Sequence, residues 1–154
     1  MQFPFSFLSK SETDTINLSK LFAPEIIEGT IITFNGDLGT GKTFFIKNLL
    51  ANFNVKNVNS PTFAIVNEYE GDKKFYHFDF YRINKEAELI DIGITDYYND
   101  TNAICLIEWA ELFPDVIPSK RIEIKITYTD ENFRLFLISK YEWIVTDISY
   151  RNFR

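Results

Sequence analysis

Apolar positions along this chain change period several times, and the changes mark out the elements. From Ser9 to Phe22, Leu18, Leu21 and Phe22 share one helical face. Ser9 or Ser11 can cap the segment, and Glu12 and Asp14 suit its first turn, so a helix is predicted there. After Gly29, the β-rich run TIITFN (30–35) predicts a buried strand. The octapeptide GDLGTGKT (36–43) follows. Ile46, Leu49, Leu50 and Phe53 then recur at the spacing of an amphipathic helix. The local order is strand, glycine-rich turn, helix.

Past Ser60-Pro61 the spacing turns to strands. TFAIVNEY (62–69) and KFYHFDF (74–80) flank Glu70-Gly71-Asp72-Lys73, a hairpin signal. Lys85 to Ile92 predicts a short helix stopped by Gly93. NAICLIE (102–108) is continuously apolar, as a strand covered on both faces should be. Pro114 and Pro118 mark a loop. RIEIKITY (121–128) and FRLFLIS (133–139) alternate around Thr129-Asp130-Glu131-Asn132, a second hairpin, and a further strand is expected from Tyr141 to Ile148. The expected class is α/β, a P-loop NTPase-like mixed parallel and antiparallel sheet flanked by helices. With 154 residues, no repeat and no linker-like tract, one domain over 1–154 is expected.

Composition narrows the function classes. Apolar residues make up 45% and charged residues 25%, ordinary for a globule and too apolar for a disordered chain. A net charge of −6 argues against a free-standing nucleic-acid binder, which needs a basic footprint. One Cys and one His exclude a disulfide framework and a four-ligand zinc site built on Cys and His. The start, MQFPFSFLSK, has no basic n-region and no small-residue cleavage site, and no apolar run is long enough to span a bilayer. A cytoplasmic protein with no membrane partner is expected.

The chemistry concentrates at Gly36-Asp37-Leu38-Gly39-Thr40-Gly41-Lys42-Thr43, which fits G-x-x-x-x-G-K-[ST] at every fixed position. Glycines let successive N–H groups turn inward into an anion nest, and the following helix aims its positive end at the same point. Lys42 would reach the β- and γ-phosphates of a nucleotide, and the Thr43 hydroxyl would bind Mg2+. Such a site calls for an acid at a strand end, and two compete. Glu108 ends NAICLIE and is the first choice for the Mg2+ sphere, directly or through water. Asp79 ends KFYHFD and would orient the attacking water or couple a moving segment to the γ-phosphate. His77 reads as a packed, hydrogen-bonded strand residue without a catalytic role, Trp109 as packing or a partner contact, and Cys105 as a small core residue. Spacing alone makes Ser60-Pro61-Thr62 a plain turn before a strand.

Together GDLGTGKT (36–43), SPTFAIVNEY (60–69), YHFDFYR (76–82), GITDYY (93–98) and ICLIEWAE (104–111) resemble the TsaE family, also called YjeE, from about Thr15 to Glu111. That family is the P-loop ATPase of bacterial tRNA threonylcarbamoyladenosine biosynthesis. The P-loop is shared by many families; HFDxYR with IEW downstream is far more specific. The resemblance implies ATP and Mg2+ as ligands and slow intrinsic ATP hydrolysis. It also implies association with the TsaD–TsaB heterodimer, with tRNA met only through that complex. It sets Lys42 on phosphate, Thr43 and Glu108 on the magnesium positions, Asp79 on the acid of HFDxYR, and Ser60, Pro61 and Thr62 on a switch-like segment. Thr15 matches a Thr near the nucleotide, and Arg134 a late Arg near the ligand. Phe44 stands where many members have a second Thr, Thr40 where Ala is usual, and Ala110 where Pro is frequent. Two other readings stand beside slow ATP hydrolysis. One is a small-molecule or nucleoside kinase with Asp79 as base, disfavoured by only five arginines in no cluster. The other is a nucleotide-gated binding module in which hydrolysis only resets docking. A GTPase is disfavoured because Asn84-Lys85-Glu86-Ala87 lacks the acid that reads guanine.

Overall fold

The computed structural model describes residues 1–61, 63–130 and 133–142. The described chain builds one seven-stranded sheet from β1 (Phe5–Ser9), β2 (Ile31–Asn35), β3 (Val66–Glu70), β4 (Lys74–Asp79), β5 (Ala103–Glu108), β6 (Arg121–Asp130) and β7 (Phe133–Tyr141), in the order β1-β7-β6-β2-β5-β4-β3. The helices are α1 (Glu12–Phe22), α2 (Lys42–Ala51), α3 (Glu86–Asp91) and α4 (Ile94–Asn99).

The centre of the sheet is parallel: β2 lies between β5 and β6 and runs with both, and β4 runs with β5. Antiparallel strands complete both edges, through the β3–β4 hairpin on one side and β6, β7 and β1 on the other. The expected mixed sheet is therefore present. Every residue of β5 is buried, as its unbroken apolar run requires.

Alternation along the central strands divides the core between the two faces. Ile32 and Phe34 of β2 and Ile104 and Leu106 of β5 pack with Phe22 of α1 and Phe45, Ile46 and Leu49 of α2. Ile31, Cys105 and Ile107 point the other way, toward Leu89 of α3 and Ile94 of α4. The α2 face is rich in rings: Phe45 lies 6.2, 6.0 and 5.5 Å, centroid to centroid, from Phe22, Phe34 and Phe136.

Of the two serines able to cap α1, Ser11 does so, its Oγ accepting from the Asp14 amide at 3.1 Å. Three expectations change. The first hairpin's leading strand is shorter, starting at Val66, and β1 and α4 are additional elements. The strand expected over 141–148 falls, past residue 142, outside the described residues. No helix among the described residues is long and apolar enough to cross a membrane.

Candidate functional site

Parallel pairing places β2, β4 and β5 so that their C-terminal ends emerge together, which is where open α/β sheets carry their ligand crevices. Asp79 and Glu108 are register partners across β4 and β5, and Phe34, two residues before the glycine-rich turn, is paired with Glu108 across β2 and β5. The two acids and the turn are thus neighbours because of strand register.

The turn wraps back on itself. Gly36 has φ of +145°, and a Cβ there would be driven into the carbonyl oxygen of Ile126 on β6, so only glycine fits. Gly39 and Gly41 also have positive φ, at +78° and +100°, and Gly41 is the N-cap of α2. The Gly36 amide donates to Glu111 Oε1 at 3.0 Å, and the Tyr128 hydroxyl at the end of β6 donates to the Gly39 carbonyl.

Lys42, the first residue of α2, is only 4% exposed. Its Nζ donates to the carbonyls of Gly36 at 2.6 Å and Asp37 at 3.0 Å and lies 3.8 Å from the centre of the Trp109 ring. Burial pulls the Lys42 ammonium below its ordinary value, while Glu108, Glu111, Asp79 and Asp37 pull it back up. The cation is held inside the curl of the loop, between two of its carbonyls and the Trp109 ring.

Thr43 and Glu108 meet beside it. The Thr43 hydroxyl lies 2.9 Å from each oxygen of the Glu108 carboxylate. His77 Nε2 lies 2.8 Å from Glu108 Oε1. Asp79 is engaged differently: its Oδ2 accepts from the Ser60 hydroxyl at 3.0 Å and its Oδ1 from the Tyr81 amide at 2.9 Å. Of the segment 60–62, Ser60 and Pro61 are described and Thr62 lies outside the described residues.

Two hollows flank the loop. One of about 220 Å3 has Thr15, Gly39, Gly41, Phe44 and Arg134 on its walls, so it brings together the two remote residues that the family resemblance set near a ligand. Thr15 Oγ1 is hydrogen-bonded to Ser9 Oγ at 2.7 Å, and the Arg134 guanidinium lies 5.2 Å from the Tyr128 ring centre. Arg134 Nε is buried without a hydrogen-bond partner among the described residues. The other hollow, about 400 Å3, lies on the Asp79 side and is bordered by Leu38, Pro61, Phe63, Tyr81 and Trp109. Phe63 there is 92% exposed.

Residues 9–136 match the model of the family described as threonylcarbamoyl adenosine biosynthesis protein TsaE. The chain belongs to the TsaE family. A TsaE of Rickettsia typhi is 38% identical over 133 residues, which cover 84% of this chain and 91% of that protein. The Bacillus subtilis TsaE is 34% identical over 142 residues, 88% of each chain. The Haemophilus influenzae TsaE is 37% identical over 136 residues, 84% of this chain and 85% of the other. A crystal structure of YdiB from Bacillus subtilis superposes with a TM-score of 0.76 at 27% identity, covering 90% of this chain and 86% of that one. TsaE proteins serve tRNA threonylcarbamoyladenosine biosynthesis, and the fold is the P-loop type of α/β sheet.

Within this TsaE-family site, sequence reasoning named Lys42, Thr43, Asp79 and Glu108 and missed their supports. Glu111 and Tyr128 brace the loop from 75 and 89 residues away, a distance at which spacing carries no signal. His77 was read as packed and hydrogen-bonded, which it is, but its partner is the acid itself.

Proposed function

We propose that this chain binds ATP with Mg2+ in the 36–43 loop and hydrolyses it slowly, in support of tRNA threonylcarbamoyladenosine formation through association with TsaD–TsaB. The observation that carries the reading is the convergence of Lys42, Thr43 and Glu108 at the start of α2, with a hydroxyl and a carboxylate 2.9 Å apart. Those are hard oxygen donors, the kind Mg2+ prefers. Among the described residues no group of three or more His, Cys, Asp or Glu is arranged to hold a metal alone. That suits Mg2+, which is ordinarily held by one or two protein oxygens together with substrate phosphates.

Thr43 and Glu108 would hold the metal, Glu108 directly or through water. The ion would supply charge neutralisation on the phosphate oxygens. Lys42, released from the Gly36 and Asp37 carbonyls, would turn its ammonium to the phosphates, and the loop amides would line the same anion. Catalysis of this kind is positioning and charge stabilisation. Both oxygens of Asp79 hold the chain on either side, at Ser60 and Tyr81, which supports the coupling role for this acid rather than a grip on the attacking water. Thr15 and Arg134, on the wall of the smaller hollow, would lie along the rest of the nucleotide.

Lys42→Ala should abolish Mg2+-dependent ATP hydrolysis and weaken nucleotide binding measured by calorimetry. A Lys42→Ala protein with undiminished activity would refute the assignment. The Asp79–Ser60 bond favours one second reading, that nucleotide chiefly orders Ser60–Thr62 and the 79–98 region for docking. If a non-hydrolysable ATP analogue sustains repeated rounds of tRNA modification with TsaD–TsaB, docking alone is the function.

A further inference from the structure

His77 is fully buried on β4, the strand beside β5. Residues 75 and 77 of β4 and 104, 106 and 108 of β5 share the face toward α2, so His77 and Glu108 point toward the helix that begins with Lys42 and Thr43. Glu108 Oε1 lies 2.8 Å from His77 Nε2. An ionised carboxylate only accepts, so toward a charged Glu108 the donor is Nε2. Nδ1 is buried with no partner among the described residues, so the hydrogen bond that anchors the ring there is the one to Glu108. The pair thus sets one ring nitrogen, on a rigid strand, against one oxygen of the acid.

The carboxylate's two oxygens are then unequal. Among the described residues, Oε1 is shared by His77 and Thr43, whereas Oε2 has only Thr43. A glutamate otherwise turns about three side-chain bonds; pinning Oε1 leaves Oε2 facing the Thr43 hydroxyl. Side chains that orient a metal-side carboxylate through a hydrogen bond tune affinity without touching the ion.

We propose that His77 is the positioning residue for Glu108, presenting that carboxylate to the Mg2+ held beside Thr43. The inference rests on the Mg2+·ATP reading above. The chain has a single His, so its imidazole nitrogens are assigned without ambiguity by long-range proton–nitrogen NMR. The free protein should show a protonated Nε2. The Nε2–H resonance should shift on adding ADP with Mg2+ and stay put with ADP and EDTA. A bare Nε2, or a resonance indifferent to the metal, overturns the proposal.

His77→Gln and His77→Met supply the second arm, because the two side chains match in length and only Gln carries an N–H near the position of Nε2. Mn2+ binding to the ADP complex, followed by electron paramagnetic resonance, should weaken about tenfold or more in His77→Met and largely recover in His77→Gln. ADP affinity without metal should be alike in all three proteins. Equal loss in both variants would mean a packing role and sink the inference, as would full Mn2+ affinity in His77→Met. Should His77→Met fail to fold, the ring tautomer and the Gln variant decide. A wild-type protein that takes up no Mn2+ with ADP removes the parent reading and this one together. Wild-type uptake with an indifferent His77→Met removes only this one.

Discussion

Gly36→Ala tests whether the glycine-rich turn is shaped by its surroundings or merely permits flexibility. At φ of +145° an alanine is in a region essentially reserved for glycine, which costs about 1–3 kcal/mol. The new methyl would also run into the Ile126 carbonyl, and backbone oxygen on a central sheet strand cannot rotate away. Overpacking of that kind adds about 1–3 kcal/mol. Gly39→Ala is the control. Its φ is +78°, but its methyl would sit 3.4 Å from the Tyr128 hydroxyl, ordinary contact, so only the left-handed strain of about 1–2 kcal/mol applies. Reduced freedom of the unfolded chain returns about 0.4–1 kcal/mol in both variants. Urea unfolding should therefore separate them, with Gly36→Ala losing about 1–5.5 kcal/mol and Gly39→Ala about 0–1.6 kcal/mol. At a slope of about 1–3 kcal/mol per molar urea, the collision of about 1–3 kcal/mol should lower the Gly36→Ala midpoint by about 0.3–3 M relative to the control. Equal midpoints would show that the collision is relieved at no cost and that β6 does not mould the turn.

Other consequences are more local. Phe45→Ala removes the ring shared by Phe22, Phe34 and Phe136 and should cost about 3–5 kcal/mol, read by thermal or urea melting; a loss under about 1 kcal/mol would contradict the packing described. Burial pushes the Cys105 thiol from an ordinary 9.0 up to about 12. The native thiol should then resist aromatic disulfide reagents at pH 8 and react once unfolded, and rapid native reaction would be inconsistent with it. Because the folded value is the higher one, the stability Cys105 contributes is complete below pH 9 and is lost as pH rises toward about 12, visible as a falling urea midpoint across that window. Asp79→Ala removes the acceptor that the Ser60 hydroxyl and the Tyr81 amide share, so hydrogen exchange should quicken in peptides spanning 60–61 and 80–83 while β5 keeps its protection. Unchanged exchange there would remove Asp79 as the tie between the two segments.

How much could be read without coordinates follows from how far each signal reaches. The strand, turn and helix from Ile31 to Ala51 are written in consecutive residues, and so are both hairpins, so these were legible. β1 was not: Phe5 to Ser9 become a strand by pairing with β7, more than a hundred residues later. α4 is a six-residue helix begun by Gly93 in left-handed conformation, too short for a period to show. Residues 63–65, part of the strand expected over 62–69, stay outside regular pairing, which starts at Val66, although the Ile65 carbonyl still accepts from the Asp79 amide. In the site, residue type picked out Lys42, Thr43, Asp79 and Glu108. Their supports came from strand register and from distant elements, which one-dimensional spacing does not encode.

The bracing of the 36–43 turn by Ile126 and Tyr128 has a consequence for synthesis on the ribosome. A nascent chain that has emerged only as far as residue 120 already holds the glycine-rich turn, both acids and His77. It lacks β6, the strand whose carbonyl moulds Gly36 and whose tyrosine ties down Gly39. β2 would then be an uncovered edge, so the glycine-rich turn should take its final shape only once β6 has emerged and paired.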